Sequence, residues 1–404
     1  MDLSSDVRDL GTITGVETIR WSAQPNLCWV QLHTSVGVTG IGETYYLPGA
    51  VESVVHDLAA ELLIGRPAPS LTAAWTTLFS CVSFFGYAGA EMRAISAIDL
   101  ALWDALGKSV GLPCVDLLGG CYREEVPVYN TCVNAGAYAD WDRALEEPAK
   151  LAEELAASGY LGMKLWPFDR FAPQVTARTS TGPAGWSAMG PVGTYLAPRE
   201  LALGLTMLEQ VRDAVGDGLE LLVEGHGRWD VNAAIRIARA LEPLNVLWME
   251  DVCQPDSPDD LARLVRETRV SQAVSERLVT RFPFREVLRA QAAHVVLVDV
   301  AWTGGLSEAR RVAELAGAYH LPFAPHDCTG PVTALANLHL ASATSNCLAV
   351  EVVRGFVDGY YREVLDEPFV VERGRVRAPV RPGLGAVFAD GFRDRSDVTS
   401  RMSH

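Results

Sequence analysis

The chain has 404 residues, of which 49% are hydrophobic, which is enough for more than one domain around a large core. Its formal net charge of -16 disfavours nucleic acid and anionic membrane surfaces as partners. Apolar runs stay below the roughly 18 residues of a membrane span and the polar start MDLSSDVRDLG lacks a signal pattern, so we expect a cytoplasmic protein.

Residues 1–120 are predicted to form an α+β domain. Residues 12–46 contain three β-rich segments and a Gly-rich turn, a pattern that predicts an antiparallel meander. Residues 50–110 then carry apolar side chains at helical spacing. This half does not alternate strands with helices, and we place its end at the pair Gly119 and Gly120.

Residues 121–355 alternate aliphatic runs with amphipathic helical segments, which predicts a parallel β/α barrel of eight strands. The predicted strands are VPVYNT, YLGMKLW, ELLVEGHG, VLWMEDV, QAVSERL, VVLVDV, LPFAPHD and LAVEVV. Residues 167–198 interrupt the pattern with Pro, Gly, Ser and Thr, and we expect a long loop that covers the substrate at the barrel mouth. Residues 356–404 are expected to pack back on the first domain.

Five consecutive barrel strands end in a charged or titratable side chain, at intervals of 23 to 27 residues. These residues are Glu224, Glu250, Glu276, Asp299 and His326. Because the carboxyl ends of barrel strands meet at one mouth, the three glutamates should converge. Buried carboxylates repel one another unless a cation lies between them, and an oxygen-only set favours Mg2+. The sequence therefore predicts a magnesium site built from the three glutamates.

Two histidines are predicted to flank this site. His226 follows Glu224 by two residues, so both side chains face the barrel interior. Asp299 and His326 end adjacent strands, and a hydrogen bond between them would orient the imidazole and raise its basicity. These two histidines are the candidate acid and base.

These motifs together resemble the mandelate racemase branch of the enolase superfamily, from about residue 12 to residue 388. The resemblance is carried by the segments AISAIDLALWDALGKSVGLPCVDLLGG and VDVAWTGGLSEA, the strand-end glutamates, and His326 followed by Glu351. It implies an α/β fold with a modified (β/α)7β TIM barrel and an α+β capping domain. It also implies a bound Mg2+, proton abstraction beside a substrate carboxylate, and a homo-oligomer.

The second barrel strand indicates the subtype. Relatives with a lysine base carry K-x-K there, whereas this chain has Lys164 followed by Trp166, which cannot accept a proton. Lys164 matches the lysine that contacts the carboxylate, and the base must then come from a histidine. The acid-x-His pattern of Glu224 and His226 is similar to that of sugar-acid dehydratases, although their first ligand is usually Asp.

The resemblance implies a dehydratase of an aldonate that yields a 2-keto-3-deoxy acid. One histidine would remove the C2 proton, Lys164 and Glu351 would help the metal to hold the enediolate, and the other histidine would expel the 3-hydroxyl. Which histidine does which stays open. A racemase, an epimerase, a cycloisomerase or a non-catalytic homologue are the alternatives. Specificity is expected in the loops at 21–26, 45–47 and 167–198.

Overall fold

The computed structural model describes residues 10–174 and 190–404. At the N-terminus, β1 (Ile13–Trp21), β2 (Leu27–Thr34) and β3 (Thr39–Tyr45) form an antiparallel meander. The last strand of the chain, Val398–Ser403, pairs antiparallel with β1, so that Trp21 lies opposite Val398. The C-terminal end of the chain therefore completes the N-terminal sheet.

Helices cover one face of this sheet. They are α1 (Pro48–Val54), which continues through a π-helical turn (Val55–Ala59) into α2 (Ala60–Leu63), then α3 (Leu71–Ser83), α4 (Ala90–Val110) and α5 (Cys114–Leu117). The long helix α4 approaches β3 very closely, because a Cβ added to Gly42 would lie 1.8 Å from the carbonyl oxygen of Ala97. Glycine in β3 is what permits this packing.

Eight parallel strands follow. They are β4 (Val126–Thr131), β5 (Gly162–Leu165), β6 (Glu220–Glu224), β7 (Trp248–Glu250), β8 (Gln272–Val274), β9 (Val295–Val298), β10 (Phe323–Pro325) and β11 (Val350–Val352). Each strand from β4 to β10 pairs with the next, and β11 pairs with β4. Backbone hydrogen bonds from Phe323 N to Asn346 O (3.0 Å) and from Leu348 N to Phe323 O (2.9 Å) join the two ends of the sheet. The sheet is therefore a closed barrel.

Each of the first seven barrel strands is followed by a helix before the next strand. These helices are α6 (Asp140–Glu146) with α7 (Pro148–Ala157), α8 (Pro198–Val215), α9 (Val231–Leu241), α10 (Pro258–Glu267), α11 (Arg281–Arg289), α12 (Gly305–Ala318) and α13 (Pro331–Ala343), with α14 (Arg354–Val357) and α15 (Tyr361–Val364) after β11. Seven strand-helix units and a final strand make a (β/α)7β barrel. The predicted fold class is confirmed.

Buried carboxylates join the N-terminal helices and sheet to the barrel. Glu43 of β3 accepts hydrogen bonds from the backbone N–H of Thr333 (2.9 Å), at the start of α13, and from the indole of Trp29 (2.7 Å). Asp99 of α4 accepts one from the backbone N–H of Ser307 (2.9 Å), in the first turn of α12. Both acids satisfy orphan donors at helix N-termini. These contacts hold the N-terminal half against the carboxyl ends of the barrel strands.

Two predictions about chain organisation are left as predictions. The boundaries at residues 120 and 355 are not tested by the contacts, which run across both positions. Residues 175–189 of the predicted loop at 167–198 lie outside the described residues, which include 167–174 and 190–198 of it. Within the described part of the chain, no helix is long and apolar enough to cross a membrane.

Candidate active site

Lys164 lies at the centre of a group of buried carboxylates. Its ammonium Nζ lies 2.7 Å from Oε1 of Glu250, 2.8 Å from Oε1 of Glu351 and 3.6 Å from Oε2 of Glu224. The lysine side chain is only 3% exposed. Burial by itself would lower the pKa of Lys164, but the charges of Glu250 and Glu351 outweigh burial and raise the pKa well above its usual value. The lysine is therefore a cation held among acids.

Glu224 and Glu250 lie side by side at the ends of adjacent strands, as the register of β6 and β7 requires. Burial raises the pKa of Glu224 to about 7. Burial and the neighbouring Glu224 also raise the pKa of Glu250 well above its usual value. Both pKa values rise because burial disfavours the charged carboxylates, and the single ammonium of Lys164 does not offset this effect.

Glu276 and Asp251 extend the acidic group. Oε2 of Glu276 is buried and has no hydrogen-bond partner among the described residues. Asp251 accepts a hydrogen bond from the hydroxyl of Ser275, and its pKa is raised well above its usual value by burial and by Glu276. In the acid pair at the end of β7, Glu250 contacts Lys164 whereas Asp251 faces the β8 side.

His326 and Asp299 form the hydrogen bond that the sequence predicts between adjacent strand ends, with Nδ1 2.9 Å from Oδ2. The other ring nitrogen, Nε2, lies 3.9 Å from Oε2 of Glu351. Burial lowers the pKa of His326, but the charge of Glu351 and the hydrogen bond to Asp299 raise it well above its usual value. This imidazole is oriented and made more basic by two acids.

Glu351 is the most heavily engaged acid of the site. Besides Lys164, it accepts hydrogen bonds from the hydroxyl of Thr131, the backbone N–H of Asp327 (3.1 Å) and the thiol of Cys328 (3.2 Å). Burial raises its pKa, but Lys164 and His326 outweigh burial and hold the pKa at about 2. The sequence analysis missed Thr131 and Cys328, which carry no recognisable spacing.

His226 lies on the side of the barrel opposite His326, because β6 and β10 are the third and seventh of eight strands. Its Nδ1 lies 2.5 Å from Oδ2 of Asp169, and its backbone N–H donates to Oε1 of Glu224 (2.6 Å). The sequence analysis missed Asp169. Its only signal is its place directly after the second barrel strand.

Trp166 occupies the position where lysine-base relatives would carry their base. Its ring stacks on that of Trp141, with the centroids 4.2 Å apart, and lies edge-on to the imidazole of His226 at 5.8 Å. The tryptophan is nearly fully buried, at 6% exposure. It therefore forms an apolar wall beside His226.

One aromatic side chain of the N-terminal half reaches the His326 side through contact with Trp302. Tyr46, in the predicted specificity loop 45–47, lies 5.7 Å from the ring of Trp302, which lies 5.2 Å from that of His326. The guanidinium of Arg93 lies 5.1 Å from the same tryptophan ring. A residue of this loop therefore reaches the barrel mouth. The predicted roles of the site residues are left as predictions.

Family comparisons match nearly the whole chain. Residues 147–391 match the family described as "Enolase C-terminal domain-like", and residues 15–119 match the N-terminal domain of the mandelate racemase and muconate lactonizing enzyme family. The first match alone spans more than half of the chain. The resemblance drawn from the motifs is therefore confirmed.

Curated relatives and solved structures agree with these matches. The chain is 29% identical to a D-xylonate dehydratase of Haloferax volcanii (94% of this chain, 87% of the relative) and 30% identical to a D-galactonate dehydratase of Ralstonia pickettii (92% and 91%). A mandelate racemase subgroup enolase from Agrobacterium tumefaciens superposes with a TM-score of 0.86 at 37% identity (97% and 98%). An enolase protein from the Sargasso Sea environmental genome gives 0.85 at 38% (97% and 98%).

Proposed function

The chain belongs to the mandelate racemase and muconate lactonizing enzyme family of the enolase superfamily, and from this premise we propose that it is a Mg2+-dependent dehydratase of a sugar acid. The substrate class is an aldonate, and the product is the 2-keto-3-deoxy acid. Relatives over nearly the full length are named dehydratases of xylonate, galactonate and arabinonate. All three substrates have a proton beside the carboxylate and a hydroxyl at C3.

The observation that carries the proposal is the pair of histidines on opposite sides of one buried carboxylate group. Dehydration needs one group to accept a proton at C2 and another to donate a proton to the leaving hydroxyl at C3. His326 is paired with Asp299 at 2.9 Å, and His226 with Asp169 at 2.5 Å. The site thus offers two imidazoles, each with an acid partner.

The residues present fit a magnesium ion. Glu224, Glu250 and Glu276 offer only oxygen ligands, the set that suits this hard cation. Oε2 of Glu276 has no hydrogen-bond partner in the described structure, and burial raises the pKa of Glu224 to about 7. The unpaired oxygen of Glu276 and the burial of Glu224 both support a divalent cation among these carboxylates. When bound, Mg2+ would supply positive charge to a substrate carboxylate and to the charge that develops on it.

The protein groups then carry out the remaining steps. One of His226 and His326 accepts the C2 proton, and the electron pair of that bond moves toward the carboxylate. Lys164 presents its ammonium to the resulting negative charge. The second imidazole protonates the C3 hydroxyl, which leaves as water while a C2–C3 double bond forms. The enol then tautomerises to the 2-keto acid, so that the overall change is the loss of one water and needs no oxidant.

The test is a screen of aldonates with the purified protein and Mg2+, with 2-keto acid formation as the readout. His326→Asn should lower kcat by about 10²-fold or more, the contribution of one general acid or base. Mg2+ binding, measured by calorimetry, should be unchanged, because His326 is not one of the proposed ligands. Retained dehydration by this variant would contradict its role.

Product analysis in D2O separates dehydration from epimerisation. A dehydratase releases water and gives a keto acid, whereas an epimerase or racemase returns the sugar acid with deuterium at C2. Exchange at C2 without any keto acid would replace the dehydratase proposal with epimerisation at the same site.

A further inference from the structure

His226, the second histidine of the site, is hydrogen-bonded to Asp169, an acid that does not lie at the end of a barrel strand. Asp169 lies in a single 3₁₀ turn (Asp169–Phe171) just after β5, and His226 lies just after β6. These strands are hydrogen-bonded neighbours, with Leu165 opposite Val223. The short connections beyond the two strand ends bring the side chains together, with Nδ1 2.5 Å from Oδ2.

Both partners are held in place by their surroundings. The turn that carries Asp169 is anchored by Phe168, which is 1% exposed and packs so closely on Gly204 of α8 that an added Cβ would lie 2.3 Å from its ring. His226 is fixed by its backbone hydrogen bond to Glu224 (2.6 Å) and by the edge-on contact with Trp166. The two side chains are only 14% and 16% exposed. The pair is therefore a built feature of the barrel mouth.

We propose that Asp169 is a positioning residue for His226, an inference that rests on the proposed function. An imidazole that donates Nδ1–H to a carboxylate is held in one tautomer and one orientation, and its proton exchange with a substrate then proceeds through Nε2. Asp299 has the same geometric relation to His326, at 2.9 Å. The site therefore contains two His–Asp units, one on each side of the carboxylate group.

This assignment explains how the site works with a tryptophan in the base position. Trp166 cannot exchange protons, so the second proton-transfer group must be a correctly oriented His226. Trp166 restricts rotation of the His226 ring from one side, and the carboxylate of Asp169 determines that Nδ1 of His226 faces Asp169. Asp169, which lies in a turn outside the strands, thus fixes the orientation of the His226 ring, which the end of β6 alone does not fix.

The first test is a kinetic double-mutant cycle on the Mg2+-loaded full chain, with an aldonate that the wild type dehydrates. Asp169→Ala should lower kcat by about 10²-fold with KM within about threefold, because an oriented imidazole is needed only in the chemical step. Asp169→Asn, which keeps an acceptor oxygen, should recover part of this loss. Glu314→Ala, which removes a carboxylate from an exposed ion pair on α12 outside the predicted specificity loops, is the control and should leave kcat and KM unchanged.

The cycle also separates positioning from an independent role. If Asp169 acts through His226, the double variant Asp169→Ala/His226→Gln should be no slower than His226→Gln alone. Additive losses, or an Asp169→Ala enzyme within about threefold of wild type, would overturn the inference while the dehydratase proposal stands.

The second test does not depend on turnover. In histidine-labelled protein at alkaline pH, where imidazole is neutral, ¹⁵N NMR reports which ring nitrogen carries the proton, and His226→Gln identifies the resonance. The wild type should show the Nδ1–H tautomer of His226, and Asp169→Ala should shift it toward Nε2–H. An unchanged tautomer would overturn the inference. A wild type that dehydrates no sugar acid would refute the proposed function alone, since the tautomer still decides the role of Asp169.

Discussion

Replacing Lys164 with methionine tests the electrostatic account of the site. Methionine keeps most of the apolar stem and removes the ammonium, whose Nζ lies 2.7 Å from Glu250 and 2.8 Å from Glu351. All three side chains are at most 3% exposed. The substitution leaves buried carboxylates without that counter-charge. Removing one partner of a buried ion pair costs about 3–5 kcal/mol, so the free energy of unfolding should fall by about that amount.

The assay is urea unfolding in EDTA, followed by circular dichroism. Lys150→Met is the matched control, because Lys150 also pairs with a glutamate at 2.9 Å but is 73% exposed. Exposed pairs contribute about 0–1 kcal/mol, so the control should unfold close to wild type. If Lys164→Met were no less stable than Lys150→Met, the ammonium would not be the counter-charge of this acidic group.

The same titration in excess Mg2+ tests the predicted ion site. A cation held by Glu224 and Glu250 would supply the charge that Lys164→Met removes from them, and binding to the native state stabilises it. The stability gap between variant and wild type should therefore narrow in Mg2+. It should not close, because Glu351 contacts Lys164 and is not a predicted metal ligand. A gap that is the same in EDTA and in Mg2+ would count against the three-glutamate site.

Two further predictions concern the scaffold. Asp140→Ala should lower the free energy of unfolding by about 3 kcal/mol, because the aspartate is fully buried against Arg354 (Nε to Oδ2 2.7 Å) while Glu154 remains as a second partner of the arginine. Glu314→Ala, in an exposed i,i+4 pair, should change the free energy of unfolding by about 0.5 kcal/mol or less in the same urea unfolding. Equal losses in the two variants would contradict the assignment of the larger effect to burial. Burial raises the pKa of Asp99 from 3.8 to about 7, so between these pH values the native state holds a proton that the unfolded chain has released. Asp99 should then contribute a fall in stability of about 1.4 kcal/mol per pH unit as pH rises through this window. Asp99→Asn should reduce the slope by about that amount in denaturation measured from pH 4 to 8, and an unchanged slope would show that Asp99 does not contribute to it.

Much of the architecture could be predicted from the residue pattern. A parallel strand buried on both faces reads as an aliphatic run, and a β/α barrel repeats that run at a nearly constant interval. The eight aliphatic runs therefore predicted the number and direction of the strands, and those that end at Glu224, Glu250 and Glu276 predicted a common mouth. The same rule put Asp299 and His326 on neighbouring strands, where they lie 2.9 Å apart.

The partners that depend on loop geometry or on closure of the barrel could not be predicted in this way. Asp169 follows its strand in an irregular turn, and no periodicity states where such a turn directs a side chain. Thr131 contacts Glu351 because the barrel closes β11 against β4, and Cys328 contacts it because the end of β10 lies on the other side of β11. The choice between Glu250 and Asp251 as the residue facing Lys164 likewise depended on backbone geometry, since Asp251 has a φ of 38°.

The sequence by itself determined the barrel, the acids and histidines at its mouth, and the need for positive charge among them, because hydrophobic periodicity and residue type are local properties. Tertiary structure alone decided that Asp169 lies against His226 and that one lysine is shared by three carboxylates. Those pairings depend on distances of a few ångströms between residues far apart in the chain, which exist only once the barrel has closed.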